Sequence, residues 1–294
     1  MPQPTWLDAP SPLQYFAALV ADDSSFALLE AAVSLAQDEH PALDTQRVLA
    51  DIDALADTLR RRIPADTVPV QRVRLLNHYF FSELGFAGNV NDYYAVSNSH
   101  LHEVLRTRRG IPISLALVYM EIAAQVGLPA RGVSFPGHFL VKLRLDHGSE
   151  RGEVVIDPFT GQSLSREALD ERLQPYKQQQ GLTGEFDAPL GLFLQAASPR
   201  EVLGRMLRNL KEIHRSADDA PRLLAVLHRL VVLVPGDWAE QRDRGLVLAT
   251  LGQVQAAVVD LETYLARCPE APDAEALRAR VADLLRGGGS AARH

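Results

Sequence analysis

The chain has 294 residues, of which 47% are hydrophobic and 23% charged, and 30 Lys and Arg against 37 Asp and Glu leave a formal net charge of −7. That is long for one domain of roughly 150 residues, ordinary for a globular protein, and too acidic for a global field that would hold nucleic acid or an anionic membrane surface. A single cysteine, Cys268, excludes an internal disulfide framework and a cysteine-based zinc site. The start, Met1 to Trp6, lacks a basic segment followed by an apolar run, and no stretch nears ~18 apolar residues. Neither signal peptide nor transmembrane helix is expected, and the expected location is the cytoplasm.

The first part of the chain reads as helical. Leu28, Leu29, Ala32, Val33 and Leu35 recur at helical spacing, and Val48, Leu49, Ile52, Leu55, Leu59 and Ile63 repeat the pattern until Pro64 stops it. A third helix is expected over Val70 to Leu84, with Val73, Leu76, Phe80 and Phe81 inward. Gly85 to Tyr94 is rich in Gly, Asn and Asp and reads as a loop carrying three aromatics. Asn98 or Ser99 is placed to cap a short helix through Leu105. Pro112 opens the next helix, which runs to Gly127. The period then changes to two. Val133 and Phe135, then Phe139, Val141, Leu143 and Leu145, then Val154 to Ile156, predict antiparallel strands with a Pro136-Gly137 turn and a hairpin loop at Gly148. Ser165 to Leu173 reads as a helix and Pro175 to Leu190 as a linker.

From Pro199 to Arg286 the pattern is helical again. Pro235 and Pro269 stand 34 apart, which is the tetratricopeptide period. In that frame Gly245 and Ala257 take the small positions of the two repeat helices and Tyr264 lies near the end. The preceding unit is weaker, because Lys211 takes a small-residue slot. Gly287 to Ser290 reads as a disordered tail.

The chemistry-bearing residues lie in the central segment. If Leu145 stands opposite Gly152, Asp157 falls across from Leu140, one pleat from His138, and imidazole and carboxylate come within reach. A carboxylate beside an imidazole fixes its tautomer and supports its protonated form, the base half of a triad. A nucleophile in the first turn of a facing helix would complete it, since a helix N-terminus favours a developing anion. Three readings of His138 stay open: a structural polar pair, a binding site without acyl chemistry, or a metal ligand. His100 and His102 lack His-x-x-x-His spacing, so no metal and no cofactor are expected. The loop with Tyr93 and Tyr94 reads either as a lid over the core or as the wall of a cleft above His138 for an extended peptide, with Asn98 able to add an amide.

Several blocks carry a resemblance. Glu83 to Asn89, Asp92-Tyr93-Tyr94, Asn98 to Leu101, Arg109-Gly110-Ile111-Pro112-Ile113-Ser114-Leu115 and Phe135-Pro136-Gly137-His138-Phe139-Leu140-Val141 resemble the SirB-type transglutaminase-like proteins. These couple a helical N-terminal region and a transglutaminase-like core to C-terminal tetratricopeptide repeats. The wider transglutaminase and papain-like superfamily uses a Cys, His, Asp triad for acyl transfer or amide hydrolysis. Its helix reads Gly-x-Cys-x-x-x-Ala and is followed by a Gly-x-Pro-Ala-Arg turn, which here is Gly127 to Arg131. Matching Gly110 and Ala116 to that helix puts Pro112 at the cysteine position, with His138 and Asp157 at the other two. Cys268 belongs to the repeats. Ser114 lies two residues on and about 200° round the helix. Its alternatives are nucleophile, backbone-bonded helix-start serine or ligand contact.

The expectation is an α+β fold: a helical N-terminal region over 1–69, a transglutaminase-like core with a small antiparallel sheet over 70–174, a linker over 175–198, repeats over 199–286 and a disordered tail over 287–294. The functional expectation is a non-catalytic interaction or regulatory protein whose core lacks the nucleophilic cysteine. The alternative is a hydrolase or acyl transferase acting on an amide or peptide through Ser114, His138 and Asp157. A protein or peptide partner is expected at the repeats, where Trp238, Gln241, Arg242 and Arg244 suit an acidic or C-terminal peptide because arginine forks match carboxylates. The competing reading has the repeats bind nothing external. Neither nucleic acid nor membrane is expected as a partner.

Overall fold

The structure, a computed structural model, describes residues 10–146, 152–184 and 187–291. In chain order the first elements are α1 (Pro12–Leu19), α2 (Leu28–Ser34), α3 (Thr45–Arg60), α4 (Pro69–Asn77), β1 (Ala87–Gly88), α5 (Leu101–Thr107), β2 (Arg109–Gly110) and α6 (Pro112–Gln125). Then come β3 (Ala130–Val133), β4 (Leu140–Arg144), β5 (Glu153–Ile156), β6 (Ser163–Leu164), α7 (Arg166–Gln179) and α8 (Leu190–Phe193). The helices α9 (Pro199–Ser216), α10 (Ala220–Leu233), α11 (Trp238–Thr250), α12 (Val254–Arg267) and α13 (Ala274–Ala291) complete the chain. Among the described residues no helix is long and apolar enough to cross a membrane.

Two compact units divide the chain. The larger takes Ala27–Ala36 and Ala42–Met206, the smaller Met1–Phe26, Gln37–Pro41 and Leu207–His294. The helical N-terminal region set down as one body over 1–69 is thus shared between them. The reason is the apolar stripe of α1: Phe16 is fully buried within the smaller unit, with the Arg229 guanidinium 4.9 Å above its ring. Arg229 is itself buried and donates from Nε and Nη2 to the Asp38 carboxylate at 2.7 and 2.9 Å.

In the larger unit α6 is the hub. Leu115, Ala116, Val118, Tyr119, Ile122 and Ala123 are all fully buried, which is the pattern of a helix apolar on every side. It packs on α3 and on β3 and β4. The four-stranded sheet runs β3-β4-β5-β6, all antiparallel, with Val141 opposite Ile156 and the Leu145 N–H donating to the Gly152 carbonyl at 2.8 Å. This is the register the alternation implied, although Gly148 lies outside the described residues. Strand β6 went unread because two residues carry no period. A π-helical turn, His78–Glu83, extends α4 and stacks Phe80 on Phe86 with ring centroids 4.3 Å apart.

The expected linker is not free chain. Helix α7 runs through Pro175 to Gln179, because Leu173 before the proline and Lys177 after it are both buried, the latter donating to Asp187 at 2.9 Å. Leu190 joins the core cluster of Val133, Phe135 and Leu140, and the Ala197 N–H donates to the Gly132 carbonyl at 2.9 Å. At the other end α13 continues through Gly287 to Ser290, where composition implied disorder. Extending a formed helix is cheaper than starting one. The rest of the expected tail, 292–294, lies outside the described residues.

The smaller unit shows why its spacing was readable. A Cβ on Gly245 would stand 2.9 Å from Leu261, so the slot admits no side chain, and Ala257 is fully buried. Lys211, in the slot that weakened the preceding unit, is buried and its ammonium lies 2.5 Å from Glu240 and 2.7 Å from Asp243. Restoring the small residue by Lys211→Ala should therefore destabilise the protein rather than improve it. A loss of about 2–3 kcal/mol is expected in urea unfolding, part of the range for breaking a buried pair because Arg208 still reaches Glu240. Adding Glu240→Gln should recover some of that loss.

Candidate functional site at the His138 turn

Chain reversal places His138. Pro136 and Gly137 occupy the corner between β3 and β4, Gly137 has φ +68°, and the His138 N–H donates to the Phe135 carbonyl at 3.0 Å. This is the conformation a glycine adopts readily at a tight turn. Across the hairpin, Asp157 directly follows β5. Its carboxylate side chain is 2% exposed, and its Oδ1 lies 2.8 Å from His138 Nε2, whose ring is a quarter exposed. The same Oδ1 accepts the Phe159 N–H at 3.0 Å, and Oδ2 accepts Arg172 Nη1 of α7 at 3.0 Å. Burial works to raise the Asp157 pKa, but the hydrogen bond and charge of His138, the hydrogen bond from Arg172 and the Phe159 amide outweigh it and hold the carboxyl well below the usual range.

The exposed side of this unit is aromatic. Phe159 meets the His138 ring edge-on at 6.4 Å and Tyr93 at 5.9 Å, and Tyr93 meets Tyr94 at 5.2 Å. Tyr94 is 77% exposed and Tyr93 41%. Phe159 reaches this place because Gly88 lies beneath its ring: a Cβ there would stand 2.3 Å from the ring carbons. Arg205 of α9 closes the side, donating to Ser134 Oγ at 2.8 Å and to the Phe135 carbonyl at 3.2 Å. Burial raises the Tyr93 hydroxyl pKa, opposed by the Arg205 charge, and burial lowers that of Arg205.

Other expected site residues lie elsewhere or are occupied. Pro112 is the first residue of α6, buried, with Ile111 as N-cap. Ser114 is fully buried. Its hydroxyl donates to the Asn98 carbonyl at 2.6 Å and accepts the Ile111 N–H at 3.1 Å, and His138 is not among its partners. Asn98 offers no amide to a cleft: its Nδ2 donates to the Asp92 and Tyr93 carbonyls at 2.6 and 3.0 Å and its Oδ1 accepts Asn89 Nδ2 at 3.0 Å. It ties the aromatic loop rather than capping α5, whose N-cap position is held by His100.

In the repeats the arginine forks meet carboxylates of the chain itself. Arg242 binds Asp243 at 2.7 Å and Asp273 at 2.9 Å, Arg244 grips Asp260 with two bonds of 2.7 Å, and Gln241 also donates to Asp260. Trp238 packs in the α12–α13 core with Arg267 5.2 Å above its ring. These side chains are not a vacant acidic-peptide groove, which corrects the sequence reading. Among the described residues no three His, Cys, Asp or Glu side chains gather to hold a metal.

Sequence reasoning missed Arg172, Phe159 and Arg205. Arg172 follows Leu169 by three and Arg205 follows Val202 by three, so each sits beside a buried position on its helix face. An arginine on an inward stripe was the available sign.

Asp157→Asn should cost about 2–4 kcal/mol at pH 7, because His138 and Arg172 lose their shared anion. The folded carboxyl titrates below its unfolded value of about 3.9, so its contribution is present above about pH 4 and is lost as pH falls further. Urea unfolding of parent and variant should therefore differ most near neutrality, and the gap should narrow steadily as pH falls below about 4. A constant gap would show that the charge is not what stabilises.

Residues 46–208 match the transglutaminase-like superfamily and residues 210–282 a tetratricopeptide repeat family. A UPF0162 protein of Xylella fastidiosa (strain Temecula1) is 36% identical over 266 residues, 90% of this chain and 92% of that one. UPF0162 protein PA3419 of Pseudomonas aeruginosa is 31% identical over 88% of this chain and 91% of its own, and UPF0162 protein YchA of Escherichia coli (strain K12) is 28% identical over 82% and 86%. No solved structure matches the chain significantly.

Proposed function

Because the chain belongs to the transglutaminase-like UPF0162 family and carries tetratricopeptide repeats, we propose that it is a non-catalytic interaction protein whose core has become a binding platform. The observation that carries this reading is the start of α6. Pro112 stands where the superfamily's helix carries its cysteine, and it has no group that can attack a carbonyl. The hydroxyl two residues on, that of Ser114, is buried and held by backbone. A nucleophile must sit within hydrogen-bond reach of its base, and Ser114 bonds instead to Asn98 and Ile111.

The exposed aromatic side of Tyr93, Tyr94 and Phe159 supports peptide binding beside His138, since rigid aromatic rings give contact area at little entropic cost. Repeats of this kind bind partners as a class. With their arginines internally paired, contact there would fall to exposed apolar side chains such as Leu246, Val259 and Leu285. The alternative, acyl transfer or hydrolysis through Ser114, His138 and Asp157, draws its support from the 2.8 Å His138–Asp157 pair alone.

The test is incorporation of a labelled primary amine into a glutamine-rich protein by the full chain. The expected result is no incorporation above that of His138→Ala, and no effect of iodoacetamide. Incorporation that disappears in His138→Ala or Ser114→Ala would replace this reading with the enzymatic one.

A further inference from the structure

A second feature of the larger unit shares no lining residue with the His138 turn, and its argument is independent of the function proposed there. Helices α3 and α5 flank an open cavity of about 320 Å³. Val48, Leu55 and Leu105 make its apolar walls, and His102, Arg106 and Arg108 bring polar groups to it. The neighbouring charges are matched in pairs: Arg106 binds Glu103 at 2.6 Å, and Asp51, also on the lining, binds Arg47 at 3.2 Å. Arg108 is different. Its guanidinium makes no hydrogen bond or ion pair among the described residues, and its Nη1 is buried without a partner. One face lies on the Phe86 ring at 4.6 Å, and burial lowers its pKa.

A partly desolvated cation with no counter-ion is costly to keep. Its backbone adds to the cost, since Arg108 has φ +59°, a left-handed conformation that favours glycine. Strain and an unanswered charge at one residue on the lining of a cavity mark a place where a ligand completes the structure.

We propose that this cavity binds a small carboxylic acid with an apolar body, its carboxylate held by the Arg108 guanidinium. The planar fork matches a carboxylate with two parallel bonds. The apolar walls favour an organic acid over inorganic phosphate, and the volume, at the low end for ligand pockets, limits the body to a few carbons or one ring.

Calorimetric titration and thermal shift on the full chain test this with isobutyrate, benzoate and hippurate, against benzamide and inorganic phosphate. At least one acid should bind saturably below about 10 mM, with benzamide and phosphate at least about tenfold weaker, the scale of one charge-assisted bond. Arg108→Gly should lose at least about tenfold in affinity while its ligand-free Tm holds or rises, because glycine accepts the backbone angle. Arg108→Lys should bind more weakly than the parent, keeping the charge without the fork. Failure of all three acids to bind, phosphate binding as tightly as they do, or unchanged affinity in Arg108→Gly would each overturn the proposal.

Discussion

A carboxylate removed from water must have its charge and lone pairs answered, and the way Asp157 is answered organises the face around it. Its three donors come from three segments: the ring of His138 in the β3–β4 turn, the guanidinium of Arg172 on α7 and the amide of Phe159 in its own turn. Replacing such a network by apolar groups is often harmless, whereas removing one partner is costly. Its effect is therefore to fix geometry more than to add stability. With Asp157 in place, the Phe159 ring is set over Gly88, and Tyr93 and His138 meet it from two sides.

The smaller unit obeys the same rule with more charges. Lys211 sits between Glu240 and Asp243, and Asp260 is gripped by Arg244 and touched by Gln241. Each carboxylate is buried or nearly so and each finds its cation on a neighbouring helix. These pairs set how the repeat helices meet, and they consume the basic groups that a reading of helix faces alone would offer to a partner. Arginines on a groove are a binding signal only when no acid stands within their reach, and here Asp243 on the same helix, Asp260 on α12 and Asp273 just before α13 hold them.

What could be read from the sequence was what rests on local period. The β4–β5 register follows from alternation and brought His138 to Asp157, and the 34-residue spacing located the Gly245 and Ala257 slots. What could not be read depends on contacts distant in sequence. Phe16 packs within the unit formed by the C-terminal helices, Lys177 holds α7 intact beyond a proline that signals a break, and Arg205 arrives from seventy residues after the turn it braces. Asn98, expected as a cap or as an amide for a cleft, instead bonds the Asp92 and Tyr93 carbonyls and the Asn89 side chain of its own loop, which no spacing rule specifies.

The start of α6 shows how a proline and a serine can together build a fully packed helix start. Proline suits a first turn because its missing N–H would have lacked an intrahelical partner there and its fixed φ is already helical. Two positions on, Ser114 accepts the Ile111 N–H and donates to Asn98, tying the helix start to the segment before α5. Gly110 makes room for that serine, since a Cβ there would stand 2.7 Å from its hydroxyl oxygen. The Gly110-Ile111-Pro112-Ile113-Ser114 block is thus self-consistent as a capped and fully packed helix start. Reactivity at Ser114 would require giving up those bonds, whereas contact at Tyr93, Tyr94 and Phe159 requires no rearrangement of α6.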